Sequence, residues 1–415
     1  MDMTGTRLHR RAFQGLPGAT ILLTFALHAC GGDRPAAPTV PTLGQRGAEG
    51  QHEQGTGHSL VRSGKEIFRF DTFGDEKFWT DTLRMHEVIE TSVSPLTALS
   101  VGLKVDADAL PPGILAAVDL NDPKTTVALL KLNAVVGVQG QVRSIAGEDR
   151  LVRVGITCAL CHSSVDNSVA PGIGRRLDGW ANTTLNPGAI IALSPALTAT
   201  QRAVYNSWGP GRYDPRFNID GKNTPIVLPP VYGLRKVARE TFTAEGPISY
   251  WNAYVGVSQM HGQGTFVDSR LGINIVQTPD LVTPKLPALL AYQLSLETPR
   301  PPSGSFDRGA AGRGRAVFVS AGRCAGCHVG SELTDINKGI LHDASETGMD
   351  PAYALRTTTK RYRTTPLRGL WQHAPYFHDG SAATLADVVQ HYDRVLNLRL
   401  SDRQKHDLAE YLKSL

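Results

Sequence analysis

The sequence predicts a mainly α-helical, loop-rich protein built of two related parts, the first carrying a large insertion. Three observations lead there. A glycine and an aromatic residue stand one helical turn apart in each part, Gly64 with Phe68 and Gly314 with Phe318. The absent side chain at such a glycine lets a second helix cross closely. Apolar residues near the C-terminus recur at helical spacing, first Leu385, Val388, Val389, Tyr392 and Leu396, then Leu408, Tyr411, Leu412 and Leu415. Gly 42 and Pro 26 among 415 residues exceed ordinary usage. So much Gly and Pro indicates long loops and a core that needs something besides its own helices to organise it.

Taken in order, the chain opens with Arg7, Arg10 and Arg11 ahead of a mostly apolar stretch from Leu16 to Ala29. That stretch is too short for a stable transmembrane helix and reads as a secretory signal over residues 1–29. It ends Leu27-His28-Ala29-Cys30-Gly31, which resembles the lipobox of bacterial lipoproteins. The resemblance implies membrane attachment through a lipidated Cys30 and a place on the periplasmic side of a bacterial membrane. Residues 30–60, rich in Gly, Pro, Ala, Thr and Gln, suit a flexible tether. An N-terminal domain is expected over 61–300, with a long insertion from about Thr80 to Val152 that carries no interpretable motif. The Pro-rich hinge from Glu297 to Ser305 separates it from a compact C-terminal domain over 301–415. In that domain Thr384 is the expected N-cap of one helix, and Ser401 with Gln404 forms the capping box of the last. The formal charge of +5 is modest and its positive residues are scattered. Without a Lys/Arg stripe interleaved with aromatics, nucleic acid is excluded as a partner.

The five cysteines resolve into Cys30 and two pairs. Each pair is Cys-x-x-Cys followed directly by His: Cys158, Cys161 and His162, then Cys324, Cys327 and His328. This spacing suits c-type haem. Two thioether bonds fix the two vinyl positions of one porphyrin, and the next residue places an imidazole under the iron. A zinc ribbon would bring its cysteine pairs closer together, and a thioredoxin-like motif needs a βαβ context that is not visible. The expected cofactors are therefore two covalently bound haem c groups, with His162 and His328 as iron ligands.

The run Thr365-Pro-Leu-Arg368, Ala374-Pro-Tyr-Phe-His-Asp-Gly-Ser381 and Thr384-Leu-Ala-Asp-Val-Val-Gln-His-Tyr392 resembles the C-terminal haem domain of the bacterial di-haem cytochrome c peroxidase/MauG family. The resemblance is strong over 307–415 and weak over 61–300. It implies two cytochrome-c-like haem domains facing each other. It also implies a distal ligand fourteen places after the His of the Phe-His-x-Gly motif, which puts Tyr392 opposite His328. Helix periodicity agrees, because Tyr392 shares the apolar face while His391 lies about 100° round the helix. Met349 is a weaker competitor. By the same resemblance, His378 is a haem-propionate or inter-haem contact. Arg363 and Arg368 offer guanidinium forks that match propionate carboxylates.

The N-terminal part departs from the family, since residues 163–180 lack the His that ligates the resting iron. The segment Ser249 to His261 looks like a degenerate counterpart of the C-terminal motif. Trp251 falls where the family places a tryptophan between its haems, and His261 where it places a distal glutamine, with Gln259 and Met260 alongside. His261 has three open roles: iron ligand, acid/base group over an open iron, or core filler. Imidazole has a suitable pKa for moving a proton between peroxide oxygens. Met260 is the alternative ligand. Trp180 and Trp371 are read as packing residues, and His342 as a surface or packing residue.

These readings point to a di-haem oxidoreductase of peroxidase type. Hydrogen peroxide would be reduced at the N-terminal haem, with electrons from a small redox protein relayed through the C-terminal haem. His261 and Trp251 are the expected catalytic residues. The competing reading is a di-haem electron-transfer cytochrome without peroxidase activity. A third, a haem oxygenase of a hydrophobic polymer or alkane, has no specific feature in its favour.

Overall fold

Two helix crossings of the same design organise the chain. The structure is a computed structural model and describes residues 52–415, with side chains from 57 onward, those of 115 and 116 excepted. The expected signal segment, Cys30 and most of the expected tether lie outside the described residues. The last stretch of that tether is a correction: residues 52–60 are helical, because helix α1 (His52–Phe70) runs on N-terminally beyond its packed portion. Its residues 57–60 are exposed, so helix propagation rather than burial carries them.

Helix α1 crosses α4 (Leu286–Ser295) at Gly64, where a Cβ would collide with the Ala288 carbonyl and with Cβ of Tyr292. Helix α5 (Arg308–Val319) crosses α7 (Asp402–Lys413) at Gly314, where a Cβ would meet the Asp407 carbonyl and Cβ of Tyr411. One turn on, Phe68 meets Tyr292 edge-on at 5.5 Å between ring centroids, and Phe318 meets Tyr411 at 5.3 Å. Glycine and aromatic thus act as one unit: the glycine admits the partner backbone, and the ring fills the space beside it.

Between the crossing helices of the N-terminal part lies the insertion, which builds a second core of its own. Helix α2 (Pro123–Lys131) packs on a hairpin of β1 (Val138–Ile145) and β2 (Glu148–Ile156). Its buried residues include Trp79, Leu129, Leu130, Leu151 and Val154. The turn residues Ala146 and Gly147 both take positive φ, 51° and 83°, as tight hairpins require. Helix α3 (Ile248–Tyr254) continues into a wider-pitched turn over Val255–Gln259, and His261 then takes a left-handed φ of 63°. The ladders among the described residues are all two-stranded, so the chain is mainly helical with short strands.

In the C-terminal part, helix α6 (Leu385–Val395) starts at the Thr384 cap expected from sequence. Helix α7 starts at the Ser401/Gln404 capping box, with Ser401 N–H donating to Gln404 Oε1 at 2.9 Å. The described residues form one compact unit. The chain entering the hinge lies against the N-terminal part, where Leu296 O accepts from Gly233 N–H, and the hinge against the C-terminal part, where Pro299 O accepts from Trp371 Nε1. No helix among the described residues is long and apolar enough to cross a membrane.

Candidate functional site: two Cys-x-x-Cys-His centres

His328 follows a short turn of helix over Cys324–Gly326. Its Nδ1 donates to the Leu333 carbonyl at 2.8 Å, which leaves Nε2 for a metal. His162 closes the short helix Ala159–His162 and donates from Nδ1 to the Pro229 carbonyl at 2.9 Å. A backbone carbonyl on the far nitrogen fixes both the tautomer and the ring plane of a metal-binding imidazole. Burial holds His162 in the neutral form, with its pKa pushed down to about 4, and lowers that of His328. None of the four cysteines is in a disulfide. Burial pushes the Cys158 and Cys161 thiols up to about 12 and that of Cys324 up to about 11.

Above His328 opens a cavity of about 340 Å³, walled by Cys324, Cys327 and His328 on one side and by helix α6 on another. Leu385, Val388, Val389, Tyr392 and Leu396 all line it, the same face the periodicity picks out. The buried Tyr392 hydroxyl is pushed up to about 12, first by desolvation and then by the two nearby cysteines. His391 is turned aside and donates from Nε2 to the Thr347 carbonyl at 2.8 Å. Met349 also reaches the cavity wall. Arg363 and Arg368 line it and share Glu240, at 3.1 and 3.6 Å. Buried Arg363 Nε has no hydrogen-bond partner. An apolar slot with two cysteines and an imidazole at one end, and guanidinium groups with donors to spare, fits a porphyrin and its propionates.

His378, also on the wall, is 5% exposed. The Tyr362 hydroxyl donates to the Asp350 carbonyl at 2.6 Å, so His378 Nε2, 3.0 Å away, donates to the Tyr362 oxygen. His342, read from sequence as a surface or packing residue, instead lines the cavity, clamped by Asp335 at 2.9 Å and Glu346 at 3.0 Å. Burial works against its charge, yet these two carboxylates raise its pKa overall. The reason is tertiary, as neither contact is visible in a linear pattern.

In the N-terminal part, Trp251 is 6% exposed within the apolar cluster that takes in Ala159 and Cys158. Its Nε1 is buried without a partner. The Arg216 guanidinium stands 5.9 Å from the Trp251 ring centre and is ion-paired with Glu245. Met260 is buried in the same cluster, and its carbonyl accepts from Trp79 Nε1 at 3.2 Å. Gln259 accepts from the Tyr213 hydroxyl at 2.9 Å. His261 stacks on Phe78 with 3.7 Å between ring centres, and burial lowers its pKa. Trp180 and Trp371 meet each other edge-on at 5.5 Å.

Sequence reasoning missed several residues here. Glu240 joins the two cavity arginines, Tyr362 holds His378, and Arg216 covers Trp251. His373 lines the cavity, its pKa pushed down by burial to about 4. The Arg176 side chain is 2% exposed, with Nη1 unpartnered. None of these stands in a motif, and their partners are distant in sequence.

Comparison with known proteins agrees with the site. A family described as RoxA-like, cytochrome c-like matches residues 361–397. Over 156 residues the chain is 29% identical to the methylamine utilization protein MauG of Methylorubrum extorquens, covering 31% of this chain and 42% of that protein. The match thus spans less than half the length of that relative. Among solved structures, hydrazine synthase of Kuenenia stuttgartiensis aligns over 46% of this chain and 73% of its own, with 20% identity and a TM-score of 0.33. A MauG-like protein associated with microbial copper homeostasis aligns over 47% and 74%, with 18% identity and a TM-score of 0.34. By its attachment motifs and by its likeness to the cytochrome c-like family and to MauG, the chain is a protein with covalently bound c-type haem. More narrowly, its C-terminal part is similar to the RoxA-like, cytochrome c-like family, and a stretch of 156 residues is similar to MauG.

Proposed function

We propose that the chain is a di-haem c-type oxidoreductase of peroxidase type, exported and held on the periplasmic side of a bacterial membrane through Cys30. Hydrogen peroxide is reduced to water at the N-terminal site, and electrons from a small redox protein reach it through the C-terminal site. The observation that carries this reading is the pair of Cys-x-x-Cys-His centres, each with its imidazole Nδ1–H tied to a backbone carbonyl. When bound, haem iron supplies one-electron redox chemistry and, where a coordination place is open, a Lewis acid for a peroxide oxygen.

The protein's own residues do the rest. His162 and His328, each with Nδ1 engaged by a carbonyl, would hold the two irons through Nε2. Tyr392 faces the C-terminal cavity and would be the residue that holds the C-terminal iron from the side opposite His328, where a phenolate would favour the ferric state. Arg363 and Arg368 take the propionates, with Glu240 keeping the pair electrostatically tolerable. His378, held by Tyr362, is a propionate or inter-haem contact. Trp251 conducts between the sites. His261, neutral in its buried setting, accepts a proton from one peroxide oxygen and returns it to the other. Should His261 or Met260 ligate the N-terminal iron instead, the molecule is an electron carrier.

The test has two stages on the purified full chain. A pyridine haemochrome assay is expected to give two haems per polypeptide. Peroxide is then expected to abolish a high-spin ferric EPR signal. Fewer than two haems removes the architecture, whereas two low-spin haems indifferent to peroxide leave a carrier.

A further inference from the structure

Five consecutive residues, Val227-Leu-Pro-Pro-Val231, touch both centres at once. The Pro229 carbonyl holds His162 Nδ1 at 2.9 Å. Two residues on, Val231 N–H donates to Gly179 O at 2.9 Å, and Gly179 N–H donates in turn to His162 O at 2.8 Å. At the other end, Val227 N–H donates to His378 O at 2.8 Å. All five residues line the cavity above His328. One extended strap is thus tied to the proximal ligand of one centre and forms the wall of the other.

We infer that this strap couples the two haem sites, with Pro229 and Pro230 as its positioning residues; the inference rests on the di-haem reading above. Each residue before a proline is confined to extended backbone, so Leu228 is held by Pro229 and Pro229 by Pro230. The direction of the Pro229 carbonyl is therefore set by covalent geometry rather than by surrounding packing. The strength of the imidazole's hydrogen bond tunes how strongly His162 donates to its iron. A movement of the porphyrin or of His378 in the C-terminal cavity pushes on a stiff strap and reaches that hydrogen bond. The reverse holds as well, since a coupling between two sites is reciprocal.

The experiment compares Pro230→Ala and Pro230→Gly with the parent, each as the full chain with two haems confirmed by pyridine haemochrome. A chain with fewer than two haems counts against the di-haem reading itself, not against the strap. Signals are assigned with a Cys324→Ala/Cys327→Ala chain, in which those of the C-terminal haem disappear. The optical and EPR signals of both haems are expected to shift in the proline variants, more for Gly than for Ala. Val388→Ala, which alters the wall of the C-terminal cavity away from the strap, is expected to move the C-terminal signals and, through the intact strap, those of the N-terminal haem, and to leave the latter unmoved when Pro230→Gly is also present. Loss of coupling is read a second way, as a change in how far reduction of one haem shifts the spectrum of the other. Proline variants that disturb only the N-terminal signals would reduce the strap to a support for His162. Variants that disturb neither set overturn the inference altogether.

Discussion

Tyr392 and His391 are adjacent, and one step of 100° round α6 separates a residue on the cavity wall from one bound to a loop carbonyl. Tyr392→Phe keeps the ring and its packing while removing the hydroxyl through which this side chain would bind iron. We expect that substitution to alter the optical and EPR signals of a single haem, with a melting temperature close to the parent's; unchanged spectra would make Tyr392 a plain wall residue. Asp75 is a second residue with a measurable signature. It is fully buried and accepts from Ile156 N–H at 3.2 and 3.3 Å. Desolvation, opposed by that N–H and reinforced by Glu76 and Asp71, raises its pKa to about 9. An acid whose folded pKa lies above its unfolded one binds more protons when folded, so its contribution falls as pH rises from about 4 to about 9. The slope is at most about 1.4 kcal/mol per pH unit. Asp75→Asn should flatten stability against pH over that window and raise the melting temperature at pH 8. A steeper dependence in the variant would contradict this. Such residues differ in legibility. Tyr392 was readable because periodicity and a resemblance agree on it, whereas Asp75 and the Phe78 partner of His261 depend on segments far apart in sequence.

At the scale of elements, a glycine and an aromatic one turn apart marked both crossings. The partner of α5 was readable in the apolar face of α7. The partner of α1 was not, because Leu286 to Leu296 is apolar on most sides and looks like a segment leading into a hinge. The hairpin of β1 and β2 escaped notice for another reason. Its alternation is interrupted by glycines at 140 and 155 and by a register shift between Gln141 and Val142. The crossing makes a paired prediction on one helix. Gly314→Ala forces the α7 backbone away at Asp407, and overpacking of this kind costs about 1–3 kcal/mol. Gly312→Ala, where a Cβ meets nothing within 4 Å, should gain about 0.5–1 kcal/mol from helix propensity. Opposite shifts in denaturant midpoint are expected; equal shifts would mean that the crossing does not depend on the close approach at 314.

At the scale of the molecule, what ties the residues before the expected hinge to those after it was not legible. The Arg356 side chain, 2% exposed, reaches from the C-terminal part to two aspartates of the N-terminal part. It makes paired bonds to Asp214 at 2.8 and 3.0 Å and to Asp220 at 2.8 Å for both contacts. Arg356, Asp214 and Asp220 sit in no motif, so only the fold brings them together. Their geometry matters more than their charge, because the guanidinium fork engages both carboxylates while an ammonium would engage one at a time. Arg356→Ala leaves the fully buried Asp214 carboxylate without its cation, and breaking a buried pair in this way costs about 3–5 kcal/mol. Arg356→Lys restores the charge without the fork and should recover only part of that loss. The loss should lower the temperature at which both parts unfold, read by calorimetry on the haem-loaded chain. A variant that unfolds in two stages, the C-terminal part first, would show the clamp to be what makes the unfolding cooperative. Full recovery by Lys would instead show that any cation in the place suffices, and that the fork contributes nothing.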